Sequence, residues 1–138
     1  MKSTNSIVLS ITTIVVAVLL LSFSYQQGKV MAVFNAPASA DATVNPVAGD
    51  ATATAAGAKL YKQQCAACHG DKGKGDGVAA AGLAKAPANH TAAGVQKKTD
   101  GALFWEITTG NGPMPAYKFL PEAQRWQLVN YIRTLAKK

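Results

Sequence analysis

Cysteine and histidine are scarce in this chain of 138 residues, which has two of each. Cys65 and Cys68 lie three positions apart and are followed at once by His69, while His90 stands alone. A structural zinc site needs four such ligands, usually as two closely spaced pairs. The absence of a second pair excludes zinc. It also leaves no spare cysteine to carry a lipid anchor.

Acidic residues are also few, since seven Asp and Glu oppose fourteen Lys and Arg. In residues 57–138 we find no paired carboxylates and no nucleophile beside a base, the groups that bond-making catalysis needs. The glycine-rich stretch 70–82 lacks the Asp ladder of a calcium loop and the Gly-Lys-Ser/Thr ending of a phosphate-binding loop. We therefore do not expect an enzyme.

The most informative residues are Cys65-Ala66-Ala67-Cys68-His69. Two thiols at this spacing followed by an imidazole are typical of the attachment site of one covalent c-type haem. On a helix, positions i, i+3 and i+4 share a face, so both thiols can reach the same porphyrin while His69 binds its iron. A redox-active disulfide is the alternative, but such a motif follows a strand, and nothing before Cys65 has the pattern of one.

Residues 1–25 indicate an export signal or a membrane anchor. Residues 7–21 form an uncharged apolar run behind a single cation, Lys2, which is the pattern of a chain directed out of the cytoplasm. Continued through Tyr25 the run has 19 residues, near the ~20 that span a bilayer. We expect a periplasmic or other extracytoplasmic protein anchored in the membrane by this helix. Small residues at 22–24 leave a cleaved signal peptide as the alternative.

Residues 26–56 are expected to form a flexible linker between this helix and a haem domain at 57–138. From residue 35 onward the segment is rich in Ala, Thr and Pro, with no aromatic residue and no apolar period. Such a composition buries too little apolar surface to offset the entropy lost on ordering.

Apolar periodicity predicts an all-α fold with three helices in the haem domain. They cover Gly57–Cys68, Asp100–Thr109 and Pro121–Ala136. Thr99 or Asp100 is suited to cap the second helix, and Gly110 to end it. The third helix carries one apolar face, formed by Leu128, Tyr131, Ile132 and Leu135. The first and last helices are expected to cross and enclose the haem.

Residues 57–138 resemble the class I, or monohaem, cytochrome c family. Gly57 and Tyr61 match the small residue and the aromatic on that family's first helix, and Leu128 and Tyr131 match their partners on its last helix. The resemblance implies a small cytochrome c fold, with the two helices crossing around a covalently bound haem.

Met114 is the expected sixth ligand of the iron. It lies between Pro113 and Pro115 in an irregular loop, where a thioether is better placed to bind a metal than to fill a core. The stretch also resembles the family's axial-methionine loop. His90 is the rival ligand, although a lone histidine in a polar segment is most often a solvated surface residue.

Two further residues are expected to contact the haem or its ligand. The family resemblance implies that a backbone carbonyl near a proline accepts the second N–H of His69, and Pro87 is the preferred position, with Pro113 as the alternative. Trp105 is placed to donate its indole N–H to a haem propionate, with ordinary core packing as the alternative.

These features predict a single-electron carrier, or a haem subunit of a larger complex, in an exported respiratory chain. A histidine and a methionine on the iron favour the ferrous state and leave no open position. The excess of basic residues predicts partners with acidic docking surfaces, such as a quinol:cytochrome c reductase as donor and a terminal oxidase or other reductase as acceptor. Nucleic acid is excluded outside the cytoplasm. The alternative is an open-site haem enzyme or gas sensor, which requires that Met114 does not bind.

Overall fold

The structure is a computed structural model that describes residues 36–136. This part of the chain is all-α, as predicted, with six α-helices, one short 3₁₀ turn and no strand. The helices are Ala38–Asp41 (α1), Ala51–Gln64 (α2), Ala66–His69 (α3), Ala93–Gln96 (α4), Asp100–Thr109 (α5) and Glu122–Thr134 (α6), and the 3₁₀ turn is Ala80–Gly82.

The expected export signal or membrane anchor, residues 1–25, lies outside the described residues. Among residues 36–136, no helix has the length and apolar character needed to cross a membrane.

Helices α2 and α6 cross in close backbone contact, which confirms the crossing predicted for the first and last helices. The crossing depends on Gly57, since a Cβ atom added there would lie 1.9 Å from the carbonyl oxygen of Gln127. One turn further along, the ring of Tyr61 packs on that of Tyr131 with 5.0 Å between centroids. Leu128 is fully buried beside them.

The core lies where α5 and α6 meet the end of α2. Leu128 and Ile132 of the predicted apolar face are buried, and Tyr131 and Leu135 pack against them from the edge. The largest fully buried side chain, Trp126, lies outside that predicted face and stacks on Phe104 with 3.9 Å between ring centroids. The buried members of the cluster are Tyr61, Leu103, Ile107, Tyr117, Trp126, Leu128, Val129 and Ile132.

Helix α5 begins and ends where the sequence predicts. The Thr99 hydroxyl caps it by accepting from the amide N–H of Ala102, and Gly110 ends it with a φ of +67°. The first predicted helix differs more, because α2 begins at Ala51 and the helix is interrupted at Cys65, whose φ is −116°. A separate turn, α3, carries the chain on to His69.

The expectation of a flexible linker is wrong for residues 36–56. Helix α1 and the turns after it pack on the domain, and the Asp50 side chain caps α2 by accepting from the amides of Thr52 and Ala53 at 2.7 and 2.9 Å. Ala40 and Ala53 are both buried. The haem domain therefore begins well before Gly57, and residues 26–35 of the expected linker lie outside the described residues.

Buried amide groups explain why this polar segment is ordered. The Asn45 side chain donates to Asp100 and to Asn130, each at 2.8 Å, and Asn130 donates in turn to the carbonyl of Val47 at 2.5 Å. Hydrogen bonds between buried polar groups hold such a segment without an apolar stripe. The composition of the segment could not reveal this order, because both partners of Asn45 lie more than 50 positions further along the chain.

Gly57→Ala tests the helix crossing. The added Cβ atom would overlap the Gln127 carbonyl, so α2 and α6 must move apart, and we expect the free energy of unfolding to fall by about 1–3 kcal/mol. Gly94→Ala in α4 is the matched control. It meets no atom within 4 Å, and it should stabilise the protein by roughly 0.5–1 kcal/mol. The measurement is urea unfolding of the haem-loaded protein, and equal midpoints for the two variants would contradict the account.

Candidate functional site

The two cysteines and His69 lie at the break between α2 and α3. The amides of Cys68 and His69 both donate to the carbonyl oxygen of Cys65, at 3.2 and 2.9 Å. These helical hydrogen bonds keep the three side chains on one side of a single turn. Both cysteines are free thiols and partly exposed.

The thiols are unlike those of a disulfide oxidoreductase. Burial, together with the neighbouring Cys68, raises the pKa of the Cys65 thiol to about 12. Redox-active Cys-x-x-Cys motifs instead have a cysteine with a lowered pKa. The environment of Cys65 therefore argues against the disulfide alternative.

A backbone carbonyl fixes the tautomer of His69. The imidazole is buried, with 7% of its surface exposed, and its Nδ1 lies 2.9 Å from the carbonyl oxygen of Ala88. A carbonyl can only accept, so Nδ1 carries the proton and Nε2 keeps the lone pair that binds a metal. Burial lowers the pKa of His69 below its ordinary value, opposed by the Ala88 carbonyl, and so favours the neutral form of the ring.

The preference for Pro87 needs correction by one residue. The acceptor is the carbonyl of Ala88, which directly follows Pro87. Pro87 contributes instead through its own carbonyl, which packs against Gly75 so closely that a Cβ atom there would approach it to 2.7 Å. The acceptor is thus a carbonyl beside a proline, as the resemblance implies. The carbonyl that faces the imidazole belongs to the residue after Pro87.

The expectation that His90 is a solvated surface residue is wrong. Its side chain is buried, with 8% exposed, and its ring stacks on that of His69 with 4.1 Å between centroids and 17° between planes. Its Nδ1 lies 3.0 Å from the hydroxyl of Tyr61. Burial raises the pKa of Tyr61, while burial and the nearby His69 lower the pKa of His90 to about 3. Tyr61 and His90 therefore form a buried hydrogen bond between two uncharged side chains.

The stacking also argues against His90 as a ligand opposite His69. Two imidazoles on opposite sides of one iron would have centroids about 6 Å apart, given metal–nitrogen bonds of roughly 2 Å. The two rings instead lie face to face and nearly parallel, with only 4.1 Å between centroids.

The loop that carries Met114 is tied to the end of α2. Met114 exchanges two backbone hydrogen bonds with Asn111, at 3.0 and 3.2 Å, which closes the loop on itself. Further on, the hydroxyl of Tyr117 donates to the carbonyl of Gln64 at 2.7 Å, directly before Cys65. Met114 and Cys65 both pack, partly buried, against the same apolar core.

Trp105 lies partly buried on α5. Its expected hydrogen bond to a haem propionate stays a prediction.

Comparison with known proteins agrees with this geometry. Residues 52–132 match the family described as cytochrome c oxidase, cbb3-type, subunit III. The chain belongs to this family of monohaem c-type cytochrome domains. No curated protein matches the cytochrome.

A solved structure is also similar to the cytochrome. It is a chain of the reducing HAO-like protein complex of Kuenenia stuttgartiensis, with 29% identity and a TM-score of 0.55. The match covers 63% of the present chain and 45% of the other, so the cytochrome spans less than half the length of that relative.

The cofactor of the cytochrome is a covalently bound c-type haem, and its residues fit that group. Cys65 and Cys68 supply two free thiols at the attachment spacing. His69 is a neutral imidazole whose Nδ1 is already engaged, and the core beside it is lined by partly buried apolar side chains. When bound, the haem supplies an iron that gains or loses one electron.

Sequence reasoning missed two residues of this site. Ala88 acts through its backbone, so no side-chain pattern marks it. His90 was noted but placed at the surface, because its local sequence is polar. The one available signal was the presence of a second histidine in a domain that has only two.

Gly75→Ala tests the hydrogen bond between His69 and Ala88. Gly75 has a φ of +80° and donates its amide N–H to the carbonyl of His69 at 2.8 Å. An added Cβ atom would push on the Pro87 carbonyl and shift Ala88. A carbonyl acceptor makes a ligating imidazole more basic, and a more basic ligand favours ferric iron. Weakening this bond should therefore raise the reduction potential.

Gly49→Ala is the matched control, since Gly49 has a similar φ of +76° but no atom within 4 Å of an added Cβ. Both variants carry backbone strain of about 1–3 kcal/mol, yet only Gly75→Ala should change the potential in a spectroelectrochemical titration. A Gly75→Ala protein with the wild-type potential would refute this role for the loop.

Proposed function

We propose that the cytochrome carries single electrons through a haem iron closed by His69 on one side and Met114 on the other. The observation that carries the proposal is the state of His69, whose Nδ1 proton is held by Ala88 so that Nε2 is the nitrogen available to the iron. A buried, neutral and oriented imidazole is suited to permanent ligation.

The placement of Met114 supports the second half of the proposal. Its loop is held at Tyr117 by two hydrogen bonds, from the hydroxyl to the carbonyl of Gln64 beside the attachment site and from the amide to the carbonyl of Ile107 at 3.0 Å. A thioether on a restrained loop costs little entropy to hold in place. With both axial positions filled, the residues described here leave no site for a substrate on the iron.

Surface charge supports acidic redox partners. Residues 57–138 contain twelve Lys and Arg against five Asp and Glu. Two of those acids are already paired inside the domain, Asp100 with Arg133 at 2.7 Å and Glu106 with Lys98. The lysines at positions 59, 62, 72, 74, 85, 97 and 118 are exposed. Such a surface steers the protein towards acidic docking sites, with rates that fall as salt rises.

We propose an extracytoplasmic respiratory role. The donor would be a quinol:cytochrome c reductase type of enzyme, and the acceptor a terminal oxidase or another reductase. The matched family is named for an oxidase subunit, and the similar structure belongs to a multi-protein complex. These likenesses support either a free carrier or a haem subunit of a larger assembly. Residues 1–25 would hold the domain at the membrane.

The proposal is tested on the purified, haem-loaded full-length chain. A redox titration should follow a one-electron Nernst curve, and carbon monoxide added to the reduced protein should leave its spectrum unchanged because no iron position is open. Met114→Ala is the positive control that should bind carbon monoxide. Rapid binding by the wild type, with turnover of hydrogen peroxide, would instead support an open-site enzyme or sensor.

A further inference from the structure

The segment after Pro87 contacts the His69 ring in two different ways. The carbonyl of Ala88 accepts from the ring edge at Nδ1, at 2.9 Å. Two residues later, His90 lays its own ring over the face of His69, nearly parallel and with 4.1 Å between centroids. The edge contact fixes one direction in the ring plane, but it leaves the ring free to rock about that hydrogen bond. The face contact opposes this rocking.

His90 is itself held by several parts of the fold. Its Nδ1 lies within hydrogen-bond distance, 3.0 Å, of the Tyr61 hydroxyl of α2, and its amide donates to the carbonyl of Gly73 at 2.6 Å. Its carbonyl accepts from the Gln96 side chain of α4 at 2.6 Å, and Gln96 also donates to the carbonyl of Ile132 in α6 at 2.9 Å. The backbone of His90 is thus tied to α4 and, through Gln96, to α6, while its ring is tied to α2, so the whole residue is held in place beside His69.

We propose that His90 is a positioning residue, which acts by stacking on His69 to fix the orientation of that imidazole plane on the iron. This rests on the proposed function, in which Nε2 of His69 is an axial ligand. The plane of an axial imidazole determines how its π orbitals overlap the iron d orbitals. Its orientation therefore affects the magnetic anisotropy of ferric haem and, through ligand bonding, the reduction potential.

A purely structural role for His90 would leave a different signature. Loss of packing and of the bond to Tyr61 would lower stability without changing the spectrum of the bound haem. The electron paramagnetic resonance g values of the ferric protein, and the spread of its haem methyl proton shifts, respond to ligand orientation and so separate the two roles.

The test compares His90→Ala and His90→Phe in the haem-loaded full-length chain. His90→Ala removes the ring and should shift the g values and the methyl spread. His90→Phe keeps an aromatic face on His69 and should remain near the wild-type values. Asn45→Ala is the control for destabilisation elsewhere, since it breaks buried hydrogen bonds to Asp100 and Asn130. It should lower the unfolding midpoint and leave the g values unchanged.

Wild-type g values in a folded His90→Ala protein would overturn the inference. If that variant fails to fold, Tyr61→Phe replaces it. This change removes only the hydroxyl that fixes His90, so unchanged g values there would equally overturn the inference, and shifted or broadened values would support it. Failure of the proposed function is distinct, because His69→Ala would then leave the wild-type spectrum intact whatever the His90 variants do.

Discussion

The structure depends most on the backbone contact between α2 and α6 at Gly57, because α2 leads to the ring that stacks on His69 and to the loop that carries Met114. One turn after Gly57, Tyr61 packs on Tyr131 and forms a hydrogen bond with His90, which stacks on His69. At the end of the same helix, the Gln64 carbonyl accepts from Tyr117 and so ties the Met114 loop to the attachment site. A small residue at the crossing thus supports both His69 and the Met114 loop indirectly.

Electron transfer suits this site because the groups around the haem attachment residues have little freedom to move. His69 is neutral, buried and held by Ala88, and the neighbouring loop is restrained by backbone hydrogen bonds. An electron carrier benefits from such rigidity, since little rearrangement accompanies the change of iron charge. Asp100 and Glu106 are each paired with a cation of the same domain, which bears on the charge that a partner meets. Each pair is partly exposed and neutral as a pair, so the basic surplus of the domain resides largely in the exposed lysines.

The sequence was sufficient for the fold class, the cofactor, the limits of α5 and the contact between the first and last helices. These predictions depend on the motif at Cys65–His69, on the cap of α5 and on the apolar periodicity of the last helix. It was insufficient for residues 36–56, where Asn45 gains its order from Asp100 and Asn130, far along the chain. The carbonyl of Ala88 and the burial of His90 were missed for the same reason. Both result from how a polar loop folds back over His69, which no local pattern records.

The ligand set is the central claim, and the most direct measurement is the long-wavelength sulfur-to-iron charge-transfer band of the ferric protein. The account predicts that the wild type shows this band and that Met114→Ala loses it. Met31 is the one other methionine of the sequence besides Met1 and lies outside the described residues, and Met31→Ala should keep the band. Absence of the band from the wild type, or its survival in Met114→Ala, would contradict the claim that His69 and Met114 close the iron.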